Sequence, residues 1–324
     1  MTDLRPIPAD LFLRVAAFGV DSSAVLARAG IHPRQTTFTT AEEMAFWRAL
    51  AELTPNRAIG LRLGSDKTPE QLNLAEIAAL HAPTLNEALT RIARYKRLVC
   101  SEEVSIERRK DEASIGFHWI HAKGPIPHLL IECVFAAVVK LVHLASGERL
   151  VLRRVELSRR RADVQTLKSH FGCPVVFDAP HDRLVIAASD LERGFRLRGR
   201  ERYARLLPTL EARVAKRPLT FSDEVRSVMR KRMVGEHVTI ARIARDLART
   251  PRTLQRHLVK EGTSYQALLD EVRHGTAQRL LQATDLQEGE VAFLLGFAEL
   301  NSFTRAFRDW EGTTPRRWRS KRAR

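Results

Sequence analysis

Residues 287–318 read QEGEVAFLLGFAELNSFTRAFRDWEGTTPRRW. Val291, Leu294 and Leu295 recur at helical spacing and predict one buried face. Gly296-Phe297-Ala298 interrupts that pattern. A second apolar stripe follows at Phe303, Phe307 and Trp310, spaced i, i+4, i+7. Asn301, Thr304, Arg305 and Arg308 fall on the opposite face, which is polar and rich in amide and guanidinium donors. A short helix, a turn with glycine and a second helix form a helix-turn-helix, whose second helix enters the major groove of DNA. Taken alone, the stretch fits equally an ordinary helical hairpin with a solvated charged face.

A second copy decides between these readings. About 48 residues upstream, residues 240–265 read IARIARDLARTPRTLQRHLVKEGTSY, on the same plan. Ile243-Ala244 matches Val291-Ala292, and Leu247 matches Leu295. With slips of one or two residues, Leu254 matches Phe303, Arg256 matches Arg305, Leu258 matches Phe307, and Glu261-Gly262 matches Glu311-Gly312. Self-similarity at a fixed offset marks a structural repeat. Thr239 is positioned to cap the first helix of this copy, and Thr250 the second, with Pro251 suited to its first turn. Arg252, Gln255, Arg256 and Val259 then share one face. Between the copies, Tyr265, Leu268, Leu269, Val272, Leu280 and Leu281 predict a helix over 264–283. Such a strut is roughly 30 Å long and would hold two recognition helices apart for successive major grooves, ~34 Å from centre to centre.

Residues 240–318 resemble the DNA-binding domain of the AraC/XylS transcription regulators, which carries two helix-turn-helix units. The resemblance rests on Thr-Pro-Arg-Thr-Leu-Gln-Arg (250–256), Glu-Gly-Thr-Ser-Tyr (261–265), Val-Ala-Phe-Leu-Leu-Gly-Phe (291–297), Ser-Phe-Thr-Arg-Ala-Phe (302–307) and Gly-Thr-Thr-Pro-Arg-Arg-Trp-Arg (312–319). It implies base contacts from Arg252, Gln255, Arg256, Asn301, Ser302 and Arg305, and phosphate contacts from Thr250, Thr304, Arg308 and Arg316. Three positions depart from the family pattern. Ala248 stands where glycine is common, Gln287 where a Ser or Thr cap is usual, and Gly289 early in a helix where it costs ~1 kcal/mol relative to Ala.

Composition agrees with a polyanionic partner. The 324 residues carry a formal net charge of +16, which points to nucleic acid first and an anionic membrane surface second. Residues 221–324 hold 20 Lys and Arg against 13 Asp and Glu, so the excess is spread along the chain and would not by itself locate the DNA-binding part. No run of 18 apolar residues and no secretion signal are evident, so a membrane span is not expected and the cytoplasm is the expected compartment. Cys100, Cys133 and Cys173 are isolated from one another, which leaves no disulfide framework and no CxxC metal spacing.

The first two hundred residues follow a different plan. Asp10–Phe18 and Ser22–Ala29 are amphipathic, with Gly30 as a C-cap. Thr40-Ala-Glu-Glu43 and Thr84-Leu-Asn-Glu87 fit the capping box, and Leu72–His81 and Leu85–Tyr95 predict a helical pair. Val104 and Ile106, then Ile115, Phe117 and Trp119, alternate with polar residues around Lys110-Asp111-Glu112, the pattern of a β-hairpin. A helix over Ile126–Ala145, a strand over Val151–Leu157, a helix over Val164–Phe171 and strands at Val175–Phe177 and Leu184–Ala187 complete an α+β layer with a largely antiparallel sheet. In the connector at 192–217, Leu206, Leu207, Leu210 and Val214 mark a helix. That helix serves either dimerisation and domain contact or packing within its own domain. Ile59-Gly-Leu-Arg-Leu-Gly64, Ala82-Pro-Thr-Leu-Asn-Glu-Ala-Leu89, Arg94-Tyr95 and His170-Phe-Gly-Cys-Pro-Val175 resemble the arabinose-binding-like sensor domain of one AraC subgroup. The expected division is an α+β ligand-sensing domain over 1–190, a basic linker and helix over 191–219, and an all-α DNA-binding domain over 220–324.

His118, His121 and His128 are spaced across a strand end, a loop and a helix start, which does not predict convergence on a metal. Trp119 and His121 are the candidates for lining an effector pocket between hairpin and helix. No phosphate loop, nucleophile elbow or HExxH occurs. The expected function is a transcription regulator, an activator rather than an enzyme and without a cofactor, controlled by a small-molecule effector. Its expected partners are double-stranded promoter DNA, RNA polymerase and a second copy of itself. Two rivals remain: a DNA alkylation-repair enzyme, which the three isolated cysteines disfavour, and an architectural DNA-binding protein that needs no effector.

Overall fold

The computed structural model describes residues 4–8, 10–96, 102–119, 121–122, 124–195, 200–215, 220–233, 238–283 and 286–322. Cys100 and the stretch at 196–199 within the basic connector lie outside the described residues. The chain divides into two compact units, one within residues 1–217 and the other built on residues 218–324.

Unit 1 opens with β1 (Arg5–Pro6), α1 (Leu11–Ala17), α2 (Ser22–Ala29) and β2 (Thr37–Phe38). The Asp21 carboxylate caps α2 by accepting from the Ser23 N–H, and Gly30 ends it in the left-handed region at φ 70°. β1 and β2 pair in an antiparallel ribbon. That ribbon was not expected, because two residues cannot display an alternation. In α3 (Thr40–Leu53) the capping box lies one residue earlier than the sequence suggested. Thr39 is the extended residue whose Oγ1 accepts from Glu42 N–H at 3.2 Å, while the Glu42 carboxylate accepts from Thr39 N–H at 2.7 Å. Thr40 is already helical and buried.

α4 (Ile59–Ser65), α5 (Leu74–Leu80) and α6 (Leu85–Tyr95) follow. α5 and α6 pack as the expected pair. Thr84 caps α6, but the Glu87 carboxylate pairs with Arg91 at 3.1 Å instead of completing a capping box. α7 (His128–Ser146) is the central core helix. By length and composition alone it could cross a membrane, which the strict count of apolar residues overlooked. Its apolar stretch is 67% buried within the protein, so core packing accounts for its hydrophobicity.

The sheet combines β3 (Glu102–Arg109), β4 (Glu112–Trp119), β5 (Leu152–Glu156), β6 (Val175–Val176) and β7 (Arg183–Ala187), in the order β3-β4-β7-β5-β6. α8 (Val164–Phe171) connects β5 to β6, and this is the one parallel pair; the other neighbours are antiparallel. Register sets Val104 beside Phe117, Ile115 beside Leu184, and Leu184 beside Val155, so one face is apolar. Phe117 meets Phe135 of α7 on that face at a ring distance of 6.0 Å. Ion pairs are found at the alternate positions, Arg154 with Glu112 at 2.8 Å and Arg183 with Glu107 at 3.2 Å, as period-2 alternation requires.

The connector helix, α9 (Arg200–Ala215), packs within unit 1. Leu210 and Val214 join Ala75, Ala78 and Tyr95 in a small separate cluster. Glu211 accepts from Arg94 Nε and Nη2 at 3.0 and 2.7 Å and from the Tyr95 hydroxyl at 2.8 Å.

Candidate nucleic-acid interface

Unit 2 contains α10 (Phe221–Met233), α11 (Ile240–Asp246), α12 (Pro251–Lys260), α13 (Tyr265–Ala283), α14 (Glu288–Leu294), α15 (Leu300–Glu311) and α16 (Pro315–Arg322). One apolar core joins them. Ile243 of α11 and Val291 of α14 are fully buried, as are Leu254 and Leu258 of α12 and Phe303 and Phe307 of α15. The two copies read in the sequence are therefore the same object built twice, α11-α12 and α14-α15.

The turns account for the slips in the alignment. Thr239 and Gln287 are the N-caps of α11 and α14, 48 residues apart; Thr250 and Glu299 are the N-caps of α12 and α15, 49 apart. The second turn is one residue longer. Both turns close with the same pair of backbone bonds. Arg249 N–H reaches Ala244 O at 2.8 Å and Ala248 N–H reaches Arg245 O at 3.0 Å. Phe297 N–H and Gly296 N–H reach Ala292 O and Phe293 O at 3.0 and 2.9 Å. This is the Schellman closure, which needs a left-handed residue after the helix. Gly296 supplies it at φ 72°, and Ala248 is forced into it at φ 50°. Ala248→Gly is therefore expected to stabilise unit 2 by roughly 0.5–1 kcal/mol, since relief of the left-handed strain exceeds the entropy that glycine adds to the unfolded chain. A thermal scan should show a rise of roughly 3–6 °C; an unchanged or lower midpoint would mean that Ala248 carries no strain.

Gln287 is a weaker cap than Ser or Thr, but Glu290 compensates: its carboxylate accepts from Gln287 N–H at 2.6 Å. A glutamate follows or closes the second helix of each copy and ties it to another helix. Glu261 accepts from the Phe221 and Ser222 N–H groups, both at 2.8 Å, and caps α10. Glu311 accepts from His274 Nε2 at 2.6 Å, from Trp318 Nε1 at 2.7 Å and from Gln278. Burial alone would raise the Glu311 carboxyl, but these hydrogen bonds outweigh it and hold the group below the ordinary glutamate range. Arg273 of α13 donates to Leu295 O and Gly296 O, both at 2.9 Å, and lies 4.4 Å from the centre of the Phe297 ring. It clamps the second turn. The Arg273 clamp and the bonds of Glu311 to His274 and Gln278 were not visible in the sequence, because each joins residues more than twenty positions apart.

The polar faces of α12 and α15 remain open. Arg252, Gln255 and Arg256 are exposed, as are Asn301, Ser302, Arg305 and Arg308, while Thr304 is half-buried. Thr250 is exposed at the α12 N-cap and Arg316 in the first turn of α16. Other arginines of the unit are engaged: Arg226 with Asp223 and Glu271, Arg232 with Asp246, and Arg319 with the carbonyls of Leu281 and Leu286. Among the described residues, no hydrogen bond or ion pair occupies the guanidiniums of Arg252, Arg256, Arg305 or Arg308. By the 49-residue offset, Arg252 corresponds to Asn301, Gln255 to Thr304 and Arg256 to Arg305. Two exposed donor-rich faces at equivalent positions can meet phosphates and base edges.

In unit 1, Trp119 is buried in the core at 3% exposure, and His121 is half-buried on the turn after β4. His118 lies on β4, with its Nε2 3.3 Å from Ser105 Oγ and its ring edge-on to His181. His128 begins α7. A cleft of about 310 Å³ lies elsewhere, lined by Glu52 in the last turn of α3, by Asn56 and Arg57 after it, and by His128 and Leu129 at the start of α7. Trp119 and His121 are not among its lining residues. Among the described residues, no three His, Cys, Asp or Glu side chains are grouped to hold a metal ion.

Residues 19–195 match the family model for the arabinose-binding domain of AraC transcription regulators, N-terminal part, and residues 243–321 match a helix-turn-helix domain model. The chain is 27% identical over 328 residues to the ornithine utilization regulator of Pseudomonas aeruginosa, covering 94% of this chain and 92% of that protein. It is 27% identical over 274 residues to the transcriptional regulator VirS of Mycobacterium tuberculosis, covering 81% and 78%. The crystal structure of the transcriptional regulator CdpR from Pseudomonas aeruginosa aligns over 92% of this chain and 96% of that one, at 24% identity and a TM-score of 0.46.

Proposed function

This chain belongs to the AraC family of transcription regulators, and we propose that it reads promoter DNA through α12 and α15 under the control of an effector held by unit 1. Arg252, Arg256 and Arg305 are assigned to guanine edges, Gln255 and Asn301 to adenine, and Ser302 to either base. Thr250, Thr304, Arg308 and Arg316 are assigned to phosphates, where they fix register without reading sequence. The observation that carries this reading is the pair of unoccupied, donor-rich faces at equivalent positions of the two copies, in a unit where Arg226, Arg232 and Arg319 are bonded internally. The net charge of +16 supports association with a polyanion. The name of the ornithine utilization regulator supports a small metabolite as the class of effector. RNA polymerase as a partner, a homodimer on DNA, a non-enzymatic role and the cytoplasm as the working compartment belong to the same reading of a promoter-bound regulator.

Because residues 218–324 contain both helix-turn-helix copies and the core that joins them, this fragment alone is expected to bind the site preferred by the full chain. A gel shift with the isolated fragment tests it. A fragment that melts cooperatively yet leaves that site unshifted would overturn the modular reading.

A further inference from the structure

α12 presents one exposed side chain that its polar face does not explain. Val259 is 70% exposed. It lies at i+7 from Arg252, i+4 from Gln255 and i+3 from Arg256, so it continues the same stripe. Leu254 and Leu258, both fully buried, already supply the core contacts of this helix. An exposed β-branched residue in a helix gains no packing and loses χ1 freedom, costing a few tenths of a kcal/mol relative to Ala or Lys.

The second copy shows what else can stand there. By the 49-residue offset, the position of Val259 in α12 is that of Arg308 in α15. From the last turn of a recognition helix, an arginine is long enough to reach past the groove wall to a phosphate. Valine is short and has no donor. The apolar group that the major groove offers to it is the C5 methyl of thymine. At a rise of ~1.5 Å per residue, Val259 lies about 10 Å along the axis from Arg252, the length of roughly three base-pair steps.

We propose that Val259 is a specificity-determining residue that packs against a thymine methyl in the half-site met by α12. This rests on the reading of α12 as a recognition helix. It makes the two copies chemically unequal: the first adds an apolar contact at the end of its stripe, and the second adds a phosphate contact.

The test begins with the full chain, used to select its preferred site from a pool of random duplex DNA. Each thymine of that site is then replaced, one at a time, by uracil, which lacks only the methyl. Affinities are measured for the wild type, for Val259→Ala and for Arg256→Ala, which identifies the α12 half by relaxing preference there. Position 259 is solvent-exposed, and alanine is the better helix former, so Val259→Ala should fold; a melting curve checks it. The expected result is one thymine in the α12 half whose replacement weakens wild-type binding about fourfold, the scale of one buried methyl. Val259→Ala should bind the thymine and uracil duplexes equally. The proposal is overturned if every uracil replacement affects the wild type and Val259→Ala alike. A selection that enriches no site overturns the recognition-helix assignment, and this proposal with it.

Discussion

Gly64→Ala is expected to destabilise unit 1 by about 3 kcal/mol or more, the upper end of what an overpacked methyl costs. Gly60 and Gly64 lie one helical turn apart on α4, where α4 runs against α7. A Cβ at Gly64 would stand 2.1 Å from Cys133 O, 2.8 Å from Ala136 Cβ and 2.9 Å from Ala137 N; one at Gly60 would stand 2.7 Å from Leu129 O. These obstacles are mostly backbone of the core helix, which cannot turn aside as a long side chain can. α4 would have to lift from α7, loosening the buried apolar contacts around it. For a unit of this size the melting temperature should fall by roughly 10 °C, a large share of a stability that totals about 5–15 kcal/mol. Gly289→Ala is the matched control. No atom lies within 4 Å of a Cβ built there, so helix propensity alone should stabilise unit 2 by about 1 kcal/mol. A Gly64→Ala chain that melts with the wild type would show that α4 and α7 are not in this contact.

Arg305→Ala is expected to cost about 1–3 kcal/mol on the preferred DNA site and to relax the preference at one base pair. Arg305 is exposed on the Asn301 face of α15 and corresponds to Arg256 of α12. Arg308 is one turn closer to the C-terminal end, where the DNA backbone is the expected target. Arg308→Ala should weaken preferred and random DNA about equally and lower the salt slope by about one unit. The measurement is affinity for both DNAs across a salt series, with each variant shown to be folded. Equal losses on both DNAs for Arg305→Ala would move that residue to a phosphate. A change of preference without a change of slope for Arg308→Ala would set the helix deeper in the groove.

The exposed polar faces of α12 and α15 were legible because they depend on short-range order. The stripes Leu254–Leu258 and Phe303–Phe307, the caps at Thr239 and Thr250, and Pro251 at the start of α12 are all encoded within a few residues. Their opposite faces then follow from helical geometry. A cleft in unit 1 was much less legible. Trp119, singled out as an aromatic beside histidines, is buried in the core, and a cleft of unit 1 is lined by residues 51, 52 and 54–57 together with His128 and Leu129. A cleft is a property of how distant segments meet, and neither segment carries a periodic signal of it.

By itself the sequence determined the double repeat, the hairpin of β3 and β4, and the change from an α+β plan to an all-helical one. Each arises from local hydrophobic periodicity, turn chemistry and capping. Tertiary structure alone decided the sheet order, the parallel pairing of β5 with β6, the seating of α9 on α5 and α6, and the contact of α4 with α7. It also decided the cap of α3. Thr39 and Thr40 are each followed three residues later by a glutamate, so local chemistry admits both, and Thr40 becomes the buried first residue of the helix while Thr39 remains extended. The bonds of Arg273 and Glu311 belong with these. Apart from Trp318, seven residues from Glu311, their partners lie 22, 23, 33 and 37 residues away, a separation at which pairing is set by the packing of whole helices rather than by any local preference of the chain.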